Sequence, residues 1–530
     1  MEEQIIEKKA EEKIGKLSEK FKIWLKDPYN KIFLAILIFL IIFRFYWFFK
    51  VGNQPLWWDE ADYMNMAKVY IGKGDYWKPN FFAADMIRPV LLPAISSLIL
   101  FLGLGEQPIR LIILLASIIS VPLIYGIGKQ FFDKKTALFS AFILSVFWSF
   151  SFYSYRILVD VPVAMLVLAA VYFFFKAYFE DKNWKYFVIA GIFLGLSFLM
   201  KFSSIILVFA FAVYLLTTER LKIFKNKKVI LFFLASFLTI LPYFIYGYLV
   251  YKHPLAFFLG VAGTRAPTRT PLLQSAYIQV AYSIKLMHWV FIAFFYIGLV
   301  IAMIYLFLLL SRIIAKKSSS NKSYFIFVWL ILSLLFFGYQ VNDAGYTYLD
   351  ERYYFVFYPV LFLLSGYGFS FVYNNIKKYN KTFALLVILA LFALGAYQNI
   401  AHTNQIISVK KESYTQLKQA GEFIKSHTLP EDKIMILEET AEITYYCERE
   451  FVHIAHTNST SIMEKIKEHK PKYAVLSFLF SITDEANFEI INFVFSNPDI
   501  FKPVQAYPPY IDKEQKIPLA AVFEINSEYY

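Results

Sequence analysis

The segment Leu56-Trp57-Trp58-Asp59-Glu60-Ala61-Asp62-Tyr63 follows a long apolar run at residues 32–51. That run is long enough to cross a membrane as a helix, so the segment lies where the chain has just left the bilayer. Tryptophan favours the membrane–water interface, and two adjacent carboxylates there can act chemically just outside it. The alternative interpretation is that Asp59 and Glu60 only begin a helix, because acids in a first turn favour its positive end. The positions of the other charged residues help to decide between a chemical site and a simple helix start.

The composition indicates a polytopic membrane protein. Of 530 residues, 58% are hydrophobic and 20% aromatic, and they recur in long apolar segments, which is too apolar for a soluble globule. The net charge of +13 comes from Lys and Arg in short connections between these segments. The positive-inside rule explains that pattern better than a nucleic-acid partner does. The only cysteine, Cys447, excludes an intrachain disulfide and a cysteine-based metal cage.

Eleven stretches are predicted to cross the membrane, within a transmembrane domain at residues 29–402. They lie at about 31–50, 109–130, 136–153, 160–177, 185–200, 203–217, 229–250, 286–312, 323–341, 354–373 and 382–400. Residues 1–28 are predicted to form a cytoplasmic amphipathic helix. With this N-terminus inside, the cytoplasmic connections are all basic. The run at 90–104 lies in the first outer loop at 51–108. If this run crossed the membrane, every later connection would change sides and the basic connections would face outward. It is therefore expected to be a juxtamembrane or re-entrant helix.

The C-terminal residues, 403–530, have a different pattern. Apolar residues at helical spacing at 414–425 and 461–469 alternate with short buried-strand patterns at 433–437, 473–478 and 519–525. Alternating helices and strands predict a small soluble α/β domain. An odd number of spans places this domain on the extracytoplasmic side.

Charged residues at the outer ends of the spans share one compartment in this topology. They are Asp59, Glu60, Asp62, Arg88, Arg156, Asp160, Lys201, Arg265, Arg269, Asp350, Glu351 and Arg352. A lysine at membrane level, such as Lys201, costs about 2.5–3.5 kcal/mol on insertion scales and usually faces a cavity and a partner. Outer arginines likewise need an anion, either a protein carboxylate or a lipid phosphate. The alternatives are that Lys201 extends to the interface and that Arg156 pairs with Asp160 one turn away. For Arg352, the alternative is a pair with its neighbour Asp350 or Glu351.

In order and topology, these residues resemble the GT-C membrane glycosyltransferases of the protein O-mannosyltransferase and aminoarabinose transferase kind. The resemblance covers about residues 30–370. It is carried by Trp58-Asp59-Glu60-Ala61-Asp62-Tyr63, Arg88-Pro89 with Pro93, Arg110 with Pro122 and Tyr125, Arg156 with Asp160, Gly191 and Gly195 with Lys201-Phe202, and Glu351-Arg352-Tyr353 with Pro359. Arg88-Pro89 replaces the lysine-proline or histidine-proline pair usual in the family. The C-terminal part looks like the outer domains of prokaryotic members, which favours an archaeal or bacterial plasma membrane.

The resemblance implies inverting transfer of a sugar from a polyprenyl- or dolichyl-phosphate carrier to a protein, lipid or glycan acceptor on the outer face. A carboxylate can take the acceptor's proton, and a lipid-phosphate leaving group needs fixed positive charge. The expected base is Asp59, with Glu60 orienting it or contacting the sugar. The expected phosphate ligands are Lys201, Arg156, Arg352 and Arg88. The expected supporting residues are Asp160, which would position Arg156, together with Asp62, Tyr63 and Glu351. No metal is required, although the paired acids could hold Mg²⁺ or Mn²⁺.

Two other functions share parts of this pattern. A transporter of lipid-linked or small anionic solutes would also have many spans, but its charges should lie at the midplane, within repeated halves. An oligosaccharyltransferase of the same superfamily typically carries a Trp-Trp-Asp signature in its soluble domain. Here Trp57-Trp58-Asp59 lies in the first outer loop, and residues 403–530 contain no tryptophan. The single-sugar transferase is therefore the favoured interpretation.

Overall fold

The computed structural model describes residues 15, 19–78, 88–181, 183–256, 272–314, 323–340, 342–343, 346–347, 350–437, 440–455, 457–477, 485–512 and 517–530. Most of the predicted N-terminal helix, together with Arg265 and Arg269, lies outside these residues. The described chain is a long helical region followed by a smaller domain built on a β-sheet.

The helices of the long region follow the apolar runs of the sequence. They are α1 Pro28–Val51, α2 Trp58–Tyr70, α3 Leu91–Phe101, α4 Glu106–Phe131, α5 Lys134–Val146, α6 Trp148–Tyr153, α7 Asp160–Phe175, α8 Trp184–Met200, α9 Ile205–Glu219, α10 Lys227–Tyr251, α11 Leu272–Lys285, α12 His288–Ile314, α13 Ser323–Gln340, α14 Tyr358–Lys377 and α15 Lys381–Lys410. A two-stranded hairpin, β1 Asn342–Asp343 with β2 Tyr346–Thr347, precedes α14.

Helices occur at all the predicted spans, with two local differences. The stretch at 136–153 is divided at Phe147 into α5 and α6. The last helix, α15, continues to Lys410, past the predicted domain boundary at 402, because its polar end still forms regular helix. By length and composition, 7 of the described helices could cross a membrane, and the total of eleven spans stays a prediction. The run at 90–104 forms only the short α3.

Helices that begin at the basic connections are capped by Asp or Asn. The side chains of Asp27, Asp133, Asn183, Asn226 and Asn380 each accept a hydrogen bond from a backbone N–H in the first turn of α1, α5, α8, α10 and α15. These caps satisfy N–H groups that have no partner inside the helix. The connections thus fix where each helix begins at this face.

Glycines allow two helix pairs to pack at very short range. A Cβ added at Gly191 or Gly195 of α8 would overlap α10 at the Phe232 carbonyl or at Thr239. Likewise Gly298 of α12 and Gly368 of α14 leave no space for a side chain. Small residues at such crossings let backbones approach, which is how helices gain contact area in a membrane.

The C-terminal part, called the sheet domain below, covers residues 415–530. Its helices are α16 Thr415–His427, α17 Thr440–Cys447, α18 Ser459–His469 and α19 Glu485–Ser496, and its strands are β3 Ile434–Ile436, β4 Phe451–His453, β5 Tyr473–Ser477, β6 Phe501–Asp512 and β7 Ile517–Ile525. The strand order is β4-β3-β5-β7-β6. Strand β3 is parallel to β4 and β5, whereas β7 is antiparallel to β5 and β6.

Alternate residues of the central strands face opposite layers of helices. Ile434 and Ile436 pack in the cluster that contains residues of α16 and α17. Met435 and Leu437 pack in the cluster that contains residues of α18 and α19. This is the two-residue period of a strand covered on both faces. The sheet therefore lies between two helical layers.

Candidate active site

Helix α2 carries the acidic segment, and its first turn is closed by one of the acids. Trp57 is extended and precedes the helix, and its backbone N–H donates to Glu60 Oε2 at 2.8 Å. Glu60 therefore faces back towards the start of the helix. Asp59, one position earlier, lies on a different side of the turn, because successive helical residues are rotated by about 100°.

Glu60 and Arg156 form a fully buried ion pair beneath the start of α2. The Glu60 carboxylate also accepts from the Ile157 N–H at 2.5 Å. Arg156 donates to Gln54 Oε1 at 2.8 Å, and its guanidinium lies 3.9 Å from the centre of the Trp57 ring. Neither side chain is accessible to solvent. This burial does not fit the predicted contacts of Arg156 with phosphate and of Glu60 with sugar.

Asp59 is bridged by two arginines from distant parts of the chain. Arg88 Nη1 lies 2.7 Å from Asp59 Oδ1, and Arg352 Nη1 lies 2.5 Å from Oδ2. Arg88 also binds Asp62, with Nη2 2.7 Å and Nε 3.1 Å from Oδ2. Arg352 is held in turn by Asp350, at 2.7 Å from Nη2 and 2.8 Å from Nε. The two guanidinium groups and three carboxylates form one connected network.

Within the network, the pKa values of Asp59 and Asp62 shift in opposite directions. Burial would raise the pKa of Asp59, but the facing guanidinium groups of Arg88 and Arg352 outweigh burial and lower the pKa below its ordinary value. Burial raises the pKa of Asp62 to about 6, and Arg88 offsets only part of that effect. Asp59 is therefore ionised at neutral pH, whereas Asp62 titrates close to neutral pH.

Lys201 enters the same site from the end of α8. The chain is extended at Lys201, between α8 and the short turn that leads into α9. Its Nζ lies 2.5 Å from Asp160 Oδ1 and donates to the Arg352 backbone oxygen at 2.9 Å. The sequence predicts that Asp160 positions Arg156, whereas in the structure Asp160 pairs with Lys201. The lysine has a cavity and a carboxylate partner, as a membrane-level lysine requires.

These side chains line one pocket of about 210 Å³. Its lining consists of Asp59, Tyr63, Arg88, Pro89, Leu158, Val159, Asp160, Lys201, Phe202, Ser203, Arg352 and Tyr353. Charged groups and apolar or aromatic groups share the wall. Such a surface can bind an anion that carries an apolar chain.

The remaining predicted site residues lie around this pocket. Asp62 contacts Arg88, as described above, and Glu351 accepts from the Tyr153 hydroxyl at 2.7 Å. Sequence reasoning missed Gln54, which holds Arg156, because no motif or charge marks this residue. The pair of Arg352 with Asp350 is one of the alternatives that the sequence leaves open for Arg352.

The paired acids that could hold Mg²⁺ or Mn²⁺, Asp59 and Glu60, are both bound to arginines. Within the described parts of the chain, no three His, Cys, Asp or Glu side chains come together in a way that could hold a metal ion. The carboxylates at the pocket are thus paired with cationic side chains.

Comparison with known proteins identifies related sequences and folds. Residues 88–246 match the family described as dolichyl-phosphate-mannose-protein mannosyltransferase. No curated protein matches the chain. The fold is similar to ArnT from Cupriavidus metallidurans bound to undecaprenyl phosphate, with 13% identity and a TM-score of 0.63, over 94% of this chain and 98% of that one. It is also similar to the archaeal oligosaccharyltransferase AglB from Archaeoglobus fulgidus in complex with an inhibitory peptide and a dolichol-phosphate. That match has 14% identity and a TM-score of 0.57, and it covers 96% of this chain and 77% of the other.

These matches confirm the predicted resemblance to GT-C membrane glycosyltransferases. The apolar helices and the shared fold show an integral membrane protein. The matched family segment begins at Arg88 and includes Asp160 and Lys201. It therefore contains part of the pocket wall.

Proposed function

We propose that the protein is an inverting glycosyltransferase that moves one sugar from a polyprenyl- or dolichyl-phosphate carrier to an acceptor. The observation that carries the proposal is the pocket in which Asp59 lies beside Arg88, Lys201 and Arg352. The family match, and the lipid phosphates bound in the two similar structures, support this class of donor. Mannose is the first sugar to test and a protein hydroxyl the first acceptor.

In the transfer step, Asp59 takes the proton of the acceptor hydroxyl as its oxygen attacks the anomeric carbon. The bond from that carbon to the phosphate oxygen breaks, and its electron pair stays on the lipid phosphate. Arg88, Lys201 and Arg352 neutralise the charge that develops there. Fixed cations in a site with little water stabilise such a charge without reorganising, so no general acid is needed.

Donor binding releases the base in this mechanism. In the structure both oxygens of Asp59 are engaged by guanidinium groups, which lower its pKa. A phosphate that accepts hydrogen bonds from Arg88 and Arg352 competes with Asp59 for the same N–H donors. Asp59 then regains a free oxygen and a higher pKa, both of which favour proton transfer.

Glu60 and Arg156 support the site from beneath in this proposal. Their buried pair fixes the first turn of α2, which carries Asp59 at its outer side. The prenyl chain passes along the apolar part of the wall, at Leu158, Val159 and Phe202, into the surrounding lipid. The pocket opens on the extracytoplasmic face, with the N-terminus cytoplasmic and the sheet domain outside, in an archaeal or bacterial plasma membrane.

A second candidate is an oligosaccharyltransferase, because the fold also matches AglB over 96% of this chain. That enzyme would transfer a lipid-linked glycan to an asparagine amide. A transfer assay separates the two directly, because the acceptor bond differs: an O-glycoside is removed by β-elimination and an N-glycoside is not.

The test is sugar transfer in reconstituted vesicles from a labelled polyprenyl-phosphate sugar. Asp59→Asn should abolish transfer and keep donor binding, and Lys201→Ala should weaken donor binding. Asp75→Asn, which changes an exposed acid of the same loop, and Lys433→Ala in the sheet domain serve as matched controls. Wild-type protein that transfers no sugar, while lipid or solute crosses the bilayer, would overturn the proposal in favour of a transporter.

A further inference from the structure

The sheet domain is in direct contact with the helix that carries Asp59. Helix α17 packs on α2, and three polar contacts join α2 to α17 and the residue that follows it. Asn65 Nδ2 donates to the Ala441 backbone oxygen at 2.9 Å. Lys68 Nζ donates to the Tyr445 backbone oxygen at 3.1 Å and pairs with Glu448 at 2.7 Å. The C-terminal half of α2 is therefore fixed by the sheet domain.

The chain on the other side of Asp59 is held from the same direction. The Leu56 N–H donates to the Tyr446 hydroxyl at 2.9 Å. Gln54 Nε2 donates at 3.2 Å to the backbone oxygen of Lys410, where α15 ends and leads into the sheet domain. The segment that contains Asp59 is thus anchored both before and after the acid.

This interface is part of the main apolar core. Ala441 and Tyr445 of α17 belong to the same buried cluster as Ala61, Met64 and Met66 of α2. The ammonium group of Lys68 lies 4.0 Å from the centre of the Tyr445 ring, and its side chain is 13% exposed. Because buried polar groups are costly to leave without partners, the two elements separate only with difficulty.

Helix α2 needs such support. It has 13 residues, and isolated helices of this length are marginal in water. A general base must be held in place closely, since a displacement of about 1 Å can lower a rate by about 100-fold. The contacts described above for Arg88, Lys201 and Arg352 are all with residues before Lys410. Among the residues that the structure describes, the polar contacts of the sheet domain thus reach the element of the base and not the phosphate ligands.

We propose that the sheet domain positions the base, and that Asn65, Lys68 and Tyr446 are positioning residues that act through α2 on Asp59. The inference rests on the proposed function, because it assigns these residues to the proton-accepting step of that transfer. Losing one of them should lower kcat. The KM for the lipid-phosphate donor should change little, because the phosphate ligands lie on other elements.

The experiment compares Tyr446→Phe and Lys68→Met in the full chain, reconstituted in vesicles. Tyr507→Phe and Lys433→Met are matched controls, because Tyr507 bonds Gln419 and Lys433 pairs with Glu450, both inside the sheet domain. We expect kcat to fall about 10- to 100-fold in the two test variants, with the donor KM within twofold of wild type. Lys68→Arg, which keeps the charge opposite Glu448, should recover most of kcat.

Three outcomes would contradict the positioning role of the sheet domain or the function on which it rests. Test variants as active as the two controls overturn the inference. Loss of donor binding together with kcat also overturns it, because a purely structural role of the interface would produce that pattern. Wild-type protein without any sugar transfer contradicts the proposed function itself, and is thereby distinguished from failure of the positioning role.

Discussion

Arg352 and Asp59 are 293 positions apart in the chain, yet Arg352 Nη1 lies 2.5 Å from Asp59 Oδ2. The contact joins the first outer loop to the segment ahead of α14, so the pocket is closed by residues from both ends of the helical region. In the proposed mechanism the same guanidinium serves the resting carboxylate and then the donor phosphate. Charge at residue 352 should therefore control donor affinity.

Arg352→Gln is expected to raise the KM for the lipid-phosphate donor. A hydrogen bond to a charged group contributes about 1.5–3 kcal/mol, which corresponds to a KM about 10- to 150-fold higher. Kinetics in donor-titrated vesicles measure the change. Arg220→Gln, at an exposed arginine in the connection between α9 and α10, is the matched control. An unchanged KM in both variants would remove Arg352 from the phosphate site.

Glu60→Gln and Arg156→Gln should each destabilise the protein by about 3–5 kcal/mol, because either change leaves one buried charge without its partner. The double variant should recover part of that loss. Unfolding in detergent, followed for both single variants and the pair, measures the coupling between them. If Arg156→Gln instead unfolded like wild type and specifically weakened donor binding, Arg156 would be the phosphate ligand that the sequence predicts.

Asp62 should make the free energy of unfolding depend on pH, with a sign that follows from its raised pKa. Its pKa in the folded protein is raised to about 6, so between its unfolded value near 4 and pH 6 the folded state binds more protons than the unfolded state. This contribution to stability is complete below pH 4 and is lost as the pH rises through 6. The difference in unfolding free energy between wild type and Asp62→Asn should therefore change over that range.

The measurement is chemical unfolding in detergent at several pH values from 4 to 7. Asp75→Asn, at an exposed acid of the same loop, should run parallel to wild type. If the unfolding free energies of wild type and Asp62→Asn changed in parallel with pH, Asp62 would have an ordinary pKa.

Metal removal should leave transfer unchanged. Arg88, Lys201 and Arg352 already supply three positive charges at the pocket. The paired acids Asp59 and Glu60 are already bound to arginines. Transfer would be measured after chelation with EDTA and again after addition of Mn²⁺ or Mg²⁺. Activity that disappears on chelation and returns with metal would instead assign Asp59 and its neighbours to a metal site.

The sequence predicted the charged part of the pocket well, for a physical reason. Apolar runs locate the membrane, and charged residues at the outer ends of spans have few acceptable environments there. Asp59, Arg88, Lys201 and Arg352 were found on that ground, and all line the pocket. Which acid meets which cation could not be derived. Asp59 and Glu60 are adjacent and chemically alike, and only the rotation of α2 sends Glu60 to Arg156.

Part of the sheet domain was missed because its signals are weak or contrary. Strand β6 contains Pro508 and Pro509, and proline disfavours strands because it has no N–H to donate. It is tolerated here because β6 is an edge strand with one neighbour, β7. Strand β4 has only 3 residues, which is too few for an alternating pattern. Both were recognisable only from their pairing partners.

The buried pair of Glu60 with Arg156 also restricts how the loop ahead of α2 can vary in length. One residue inserted or deleted between Trp57 and Glu60 would rotate the following side chains by about 100° around the helix. Glu60 would then leave Arg156, and Asp59 would leave its two arginines. A single substitution near the pocket disturbs one of the two ion-pair networks, whereas an insertion or deletion here would undo both together. The number of residues between Trp57 and Glu60 should therefore be under strong selection.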